Sequence, residues 1–246
     1  MYKVHKKQGL FVACMAVECV IKYPKRGSKM KNFPVFATEF GVASLVLKEI
    51  PYRQTAYVTI QDSLEPEKLL EECVDFCRAC GAEEVFAKGS HCLEKFPIHT
   101  VIYEMRGQAR VEEGKVESLW PVTAENVSKW RQICNERMRH VDCSATQEKK
   151  DEKEILASGG AYFIHDHGKL LGIGWLREGE LLLVASTVPG AGERVMHTLM
   201  SLVPGQQLKL EVASTNARAI RLYEKLGFVK GREVSWWYQV RSCNEK

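Results

Sequence analysis

The segment that most constrains how this chain folds lies near its C-terminus, residues 208–228. A short β-prone run at 208–212 meets a polar turn carrying Asn216, and a helical pattern follows at once. Ala219, Leu222, Tyr223 and Leu226 fall at i, i+3, i+4 and i+7, which is one face of a helix. Gly227 stops that helix, because a glycine just past the last turn adopts the left-handed conformation without a Cβ clash. Packing alone explains Ala219, Leu222, Leu226 and Gly227. It does not explain Asn216 and Tyr223 standing together between a strand before and paired aromatic strands after, beginning at Phe228.

Upstream, the pattern alternates between strand and helix periods. A strand at 116–122 leads through the capping residue Thr123 into a helix over 124–139, with Val127, Trp130, Ile133, Cys134 and Met138 on its apolar stripe. A charged helix follows at 148–157. A hairpin of 161–165 and 170–177 surrounds Asp166-His167-Gly168-Lys169, and Glu178-Gly179 turns into a strand at 180–185. The loop Thr187-Val188-Pro189-Gly190-Ala191-Gly192-Glu193 then opens a helix over 193–203. The strand 207–212, the helix 216–226 and two closing strands, 228–234 and 235–240, complete the order β-α-α-β-β-β-α-β-α-β-β. The glycine loop joins a buried strand to a helix start, where free N–H groups and the helix dipole favour an anion.

These residues resemble the last conserved motif of the GNAT-superfamily acyltransferases, N-x-x-A-x-x-x-Y-x-x-x-G-F, at Asn216, Ala219, Tyr223, Gly227 and Phe228. The element order over 115–246 is similar to that family's. The resemblance implies an α/β (α+β) GNAT fold, a mixed, mostly antiparallel sheet flanked by helices. It implies acetyl-coenzyme A as co-substrate, an amine as acceptor and no metal. In the family the loop matching Thr187–Glu193 wraps the coenzyme pyrophosphate, so Thr187, Gly190, Ala191, Gly192 and Glu193 are the expected contacts. Gly190 and Gly192 match, whereas Thr187 stands where the family has Arg or Gln. The resemblance further implies an oxyanion-stabilising backbone N–H near Leu183 or Val184. It makes Asn216 a partner of the cofactor arm or a spacer of the slot. Tyr223 becomes the acid that protonates the departing thiolate, and packing beneath the helix is its plain structural alternative.

No general base stands out. Glu178 and Glu180 are near the expected cleft, and ordered water is a further candidate. His165 and His167 are expected to face solvent, and His197 to be a surface or core histidine. Core packing and acceptor lining remain open for Trp236, Trp237 and Tyr238.

The first half reads as an eroded copy of the same plan. Strands at 42–49 and 57–61, a helix from Pro66 to Cys80, and strands at 84–87 and 99–106 repeat strand, helix, glycine, strand at near-identical spacing. Where the second half has Pro189-Gly190-Ala191-Gly192, the first has Glu65-Pro66-Glu67-Lys68, whose acidic side chains repel phosphate. The expectation is a degenerate half-domain over 30–111 that binds no nucleotide. A linker around Glu112–Lys115 and a GNAT domain over 115–246 follow it. Residues 1–29 join no downstream pattern. Met30 begins a better protein start, and the codons for Lys25-Arg26-Gly27 would suit a ribosome-binding site in a bacterial gene. A leader or a mis-translated start is therefore expected there.

A net charge of +4 spread along 246 residues gives no Lys/Arg block for nucleic acid. The apolar run at 10–21 is too short to span a bilayer. Nine cysteines, an odd number in a core-rich chain, read as reduced thiols in the cytoplasm. Cys73, Cys77 and Cys80 lack the paired C-x-x-C spacing of structural zinc, so burial on a helix face is the reading preferred over metal. Two rival functions stay open beside N-acetyltransferase. One is a non-catalytic module that binds acyl-coenzyme A or a metabolite. The other is a scaffold whose first half pairs with a partner or a second copy, a homodimer.

Overall fold

The structure, a computed structural model, describes residues 35–112 and 114–240. The leader expected over 1–29 lies outside them. The first half runs β1 (Val35–Thr38), β2 (Gly41–Val46), a single turn α1 (Ile50–Arg53), β3 (Thr55–Ser63), α2 (Pro66–Ala79), β4 (Glu84–Lys88) and β5 (Ile98–Gln108). The second runs β6 (Ser118–Pro121), α3 (Val127–Met138), α4 (Glu152–Ser158), β7 (Ala161–Asp166), β8 (Lys169–Arg177) and β9 (Glu180–Ser186). It closes with α5 (Gly192–Met200), β10 (Gln207–Ala213), α6 (Ala217–Lys225) and β11 (Val229–Val240).

Local chemistry accounts for these elements. Pro66 occupies the first turn of α2, where its missing N–H would have had no helical acceptor. His167-Gly168 and Glu178-Gly179 all have positive φ, and each pair closes a two-residue hairpin, β7–β8 and β8–β9.

All eleven strands join one sheet in the order β1-β2-β3-β4-β11-β5-β10-β9-β8-β7-β6. Only β3/β4 and β9/β10 are parallel neighbours, and each pair is connected through a helix, α2 or α5. The centre of the sheet is an exchange. β5, from the first half, pairs with β10, while β11, the last strand of the chain, pairs with β4. β5 and β11 pair with each other between them. The two closing strands expected at 228–234 and 235–240 are thus one continuous strand. Register shifts at Lys230/Glu233, Glu233/Ser235 and Trp237/Tyr238 bend it without breaking it.

The helices cover separate cores. Leu69, Leu70, Cys73, Val74 and Cys77 of α2 pack over β2–β4, and Trp130, Ile133 and Cys134 of α3 pack with Ile155 of α4 on β7–β9. Helix α5 lies close on β8 because β8 offers it glycines. A Cβ at Gly174 would stand 2.4 Å from Leu199 Cδ1, and one at Gly172 would stand 2.7 Å from Val195 Cγ2.

Candidate functional site

The parallel strands β9 and β10 hold together only at Lys209↔Glu180 and Leu210↔Leu181. Past those pairs they part, although both strands run on, to Ser186 and Ala213. The corresponding parallel pair in the first half does not part: β3 and β4 stay in register over five pairs, from Thr55↔Glu84 to Thr59↔Lys88. A cavity of about 960 Å³ fills the fork and its surroundings, lined by Leu182–Ser186 on one side and Glu211–Ala213 on the other. Between β8 and β9 the register jumps from Trp175↔Leu183 to Leu176↔Leu181. Leu182 is the extra residue of this bulge, which bends β9 at the point where the fork opens.

Helix α5 begins at the same cavity. Its N-cap, Ala191, has no side-chain oxygen to offer. Among the described residues the amides of Gly192, Glu193 and Arg194 find no acceptor, so three donors and the positive end of the helix dipole stay available to an anion. Gly190 has φ of 82°, a left-handed turn position, and a Cβ there would meet nothing within 4 Å. Gly192 has a different reason to be glycine: its Cβ would come within 3.0 Å of Leu222 on α6. Gly190, Gly192 and Glu193 line the cavity, whereas Thr187 and Ala191 do not. The Thr187 hydroxyl donates to the Leu170 carbonyl at 2.8 Å, and Ala191 is buried in the core. The Glu193 carboxylate sits between two ammonium groups, accepting from Lys115 Nζ at 2.7 Å and from Lys225 Nζ. The Lys115 and Lys225 hydrogen bonds hold it down at about 2.

Leu183, Val184, Asn216 and Tyr223 all line the same cavity. Asn216 caps α6, its Oδ1 accepting from the Ala219 amide at 3.2 Å. Tyr223 is buried, with its ring 6.0 Å from that of Phe228. Burial pushes its hydroxyl up to about 12, so it is protonated throughout the physiological range.

The structure adds carboxylates that pattern reading overlooked. Glu211 on β10 stands in register with Glu104 on β5, and both line the cavity. Glu104 accepts from Arg106 Nε at 2.7 Å and from Arg232 at 3.2 Å, and these cations hold it below the usual carboxylate range. Glu180 is paired with Lys209 at 3.0 Å. Glu211 has no ion pair or hydrogen bond among the described residues. Although the residue as a whole is exposed, its carboxylate in the fork is partly desolvated, which raises its pKa; the Glu180 and Glu104 charges raise it further, and Lys209 and Arg232 lower it. One signal was available: Leu208, Leu210 and Val212 alternate with Lys209 and Glu211, which puts Glu211 on the face away from the α5 core. Its partner Glu104 could not be found this way, because it arrives from the other half of the chain.

Other expectations resolve by packing. His167 is fully exposed, as expected, but His165 is not: its ring packs in tilted contact with Trp120 at 4.8 Å and Phe163 at 6.3 Å. His197 is a core residue whose Nδ1 lies 3.3 Å from the Arg110 carbonyl. Trp237 and Tyr238 are in the core, Trp236 bonds Glu233 at the surface, and none of the three lines the cavity. Cys73 and Cys77 are buried free thiols pushed up to about 12 by desolvation. Among the described residues no group of three or more His, Cys, Asp or Glu is placed to hold a metal. No helix there is long and apolar enough to cross a membrane.

Solved structures match this architecture at low sequence identity. A GCN5-related N-acetyltransferase from Anabaena variabilis superposes with a TM-score of 0.53 at 10% identity, over 74% of this chain and 54% of its own. A conserved protein of unknown function from Enterococcus faecalis reaches 0.53 at 11% identity, over 75% of this chain and 53% of its own. A functionally unknown conserved protein from Staphylococcus epidermidis reaches 0.50 at 10% identity, over 83% of this chain and 91% of its own. The fold is GNAT-like. No protein-family model matches the chain, and no curated protein matches it significantly in sequence.

Proposed function

We propose that this protein transfers an acyl group, acetyl in the simplest case, from acyl-coenzyme A to an amine. The observation that carries the reading is the fork between β9 and β10 opening beside the acceptor-less amides at the start of α5. The residues present fit the coenzyme. Open space at Gly190 admits a phosphate close to the backbone, and the amides of Gly192, Glu193 and Arg194 supply donors for a diphosphate. Thr187 would contribute nothing to that contact, since its hydroxyl is already committed to Leu170. Lys225, paired with Glu193, and Arg218 both line the cavity and add positive charge to it.

The fork would admit the thioester-bearing arm. The Asn216 amide nitrogen would serve as donor to it, the oxygen being used by the α6 cap. Backbone N–H groups of Leu183 or Val184, which β10 no longer pairs, would stabilise charge developing on the thioester carbonyl oxygen. Glu211 takes the role of base: its carboxylate takes a proton from the acceptor's ammonium, helped by its raised pKa, and the amine so freed attacks the thioester carbonyl. Tyr223 keeps its proton to well above neutral pH and donates a hydrogen bond, and finally the proton, to the departing sulfur.

Isothermal titration with acetyl-coenzyme A, beside a thiol-release assay over amino acids, polyamines and aromatic amines, tests this. Binding with amine-dependent thiol release supports transfer. Binding without release from any amine supports the rival reading, a module that holds the coenzyme without turnover. Absence of binding overturns both.

A further inference from the structure

One wall of the cavity is a loop without helix or strand, residues 139–147. Val141, Asp142, Cys143, Ser144, Ala145 and Gln147 line it. Its own half secures its end, where Asn135 and Gln147 exchange hydrogen bonds of 2.9 and 2.8 Å, and closes its first turn, where the Ser144 hydroxyl lies 2.7 Å from the Val141 carbonyl and 2.9 Å from the Met138 carbonyl. That turn is tied to the rest of the protein by the first half of the chain. Arg53 Nη1 donates to the Val141 carbonyl at 2.9 Å. Arg53 Nη2 donates to the Met138 carbonyl at 3.2 Å and to Ser144 Oγ at 2.9 Å. Glu49, whose side chain is wholly buried, lies 3.5 Å from Arg53 Nε. It accepts from the Thr146 amide at 2.8 Å and the Thr146 hydroxyl at 2.6 Å. Lys48 Nζ donates to the Thr146 carbonyl at 2.9 Å.

Between these anchors Cys143 has φ of 57°, the left-handed backbone state that is uncommon for a non-glycine residue. Its side chain packs against the cluster of Tyr57, Phe86, Ile102 and Trp237, so it is wedged into the exchanged centre of the sheet. A guanidinium reaching three acceptors on one turn is a rigid fork that lysine cannot reproduce.

We propose that Arg53 is a positioning residue for acceptor selection: through it the first half of the chain fixes loop 139–147 as a cavity wall and sets which amines enter. This rests on the acyltransferase reading only for the word acceptor; the clamp itself is testable without it. Arg53 does not line the cavity and is far in sequence from α5, so the acyl donor should not sense it.

The test uses the full chain, with iodoacetamide as probe of the loop and peptide mass spectrometry reading alkylation at Cys143. In Arg53→Met, Cys143 should alkylate about tenfold faster than in the wild type, because local opening of the unclamped loop frees a thiol that now packs against Tyr57, Phe86, Ile102 and Trp237. Affinity for acetyl-coenzyme A should stay within about twofold, while KM for any amine turned over rises and the preferred amine changes. Wild-type alkylation rates in folded Arg53→Met overturn the proposal. So does a parallel loss of coenzyme affinity, which would make Arg53 a residue of general stability. Should Arg53→Met fail to fold, Arg53→Lys carries the same test, because it keeps a cation beside Glu49 and loses the three-way fork. If the wild type binds no acetyl-coenzyme A, the acyltransferase reading fails while Cys143 alkylation still decides the clamp.

Discussion

Leu181 on β9 and Leu210 on β10 are the last residues at which these two parallel strands face each other in register. Everything assigned to the site follows from what happens one residue later. The backbone of 182–186 loses its neighbour on that side, the cavity enters between the strands, and Glu211 becomes the first side chain past the junction. In the first half, the same strand–helix–strand unit stays zipped through Thr59↔Lys88. Its helix α2 also starts among ion-paired glutamates, Glu65 with Lys68 at 2.6 Å and Glu67 with Lys95 at 2.7 Å. Only the second unit combines a fork with acceptor-less amides.

Glu211→Gln should lower kcat by about a hundredfold, the usual scale of a positioned proton acceptor. The wild-type rate should fall on the acid side with a midpoint above the ordinary 4.5 of a glutamate, because Glu211 is raised by desolvation and by its two carboxylate neighbours. The variant should lack that acid limb. A pH–rate profile of both proteins checks this, and an unchanged limb in the variant removes Glu211 from the role.

Tyr223→Phe should reduce kcat by about tenfold to a hundredfold and leave acetyl-coenzyme A affinity nearly unchanged. With the hydroxyl near 12, the wild type should show no alkaline loss of rate from this group between pH 7 and 9. Steady-state kinetics beside calorimetry separate the two quantities. An equal kcat in the variant leaves Tyr223 a packing residue.

At Gly190, charge and strain can be told apart. Gly190→Ala has open space for its methyl and meets only the left-handed backbone cost, about 1–2 kcal/mol. It should still bind acetyl-coenzyme A. Gly190→Glu bears the same strain and adds a carboxylate where the diphosphate would lie, so its affinity should drop by at least about tenfold more. Equal affinities in the two variants would mean that the phosphates lie elsewhere.

Glu193 links stability to acid. Its folded pKa is depressed from 4.5 to about 2 by Lys115 and Lys225. Its contribution is therefore complete above about pH 4.5 and is lost as pH falls toward 2. Urea midpoints between pH 6 and 2.5 should decline less steeply in Glu193→Gln than in the wild type. Parallel curves would show that the lysine pair does not stabilise the fold.

Much of this was legible without coordinates. The α6 helix, its Asn216 cap and the glycine-led entry to α5 depend on residues within a turn or two of one another, so their periodicity and capping chemistry are written locally. The same holds for the hairpins at Gly168 and Gly179, and for Pro66 opening α2. What local pattern cannot encode is which strands become neighbours. Pairing of β5 with β10, and of β11 with β4, joins residues about a hundred or more positions apart. In that arrangement β5 and β11 are hydrogen-bonded along both edges, which an edge position would leave half unpaired. The amino-acid sequence by itself determined the elements and the anion-facing helix start. Only the tertiary structure brought Glu104 beside Glu211, set Arg53 against the 139–147 loop, and opened the fork after Leu181.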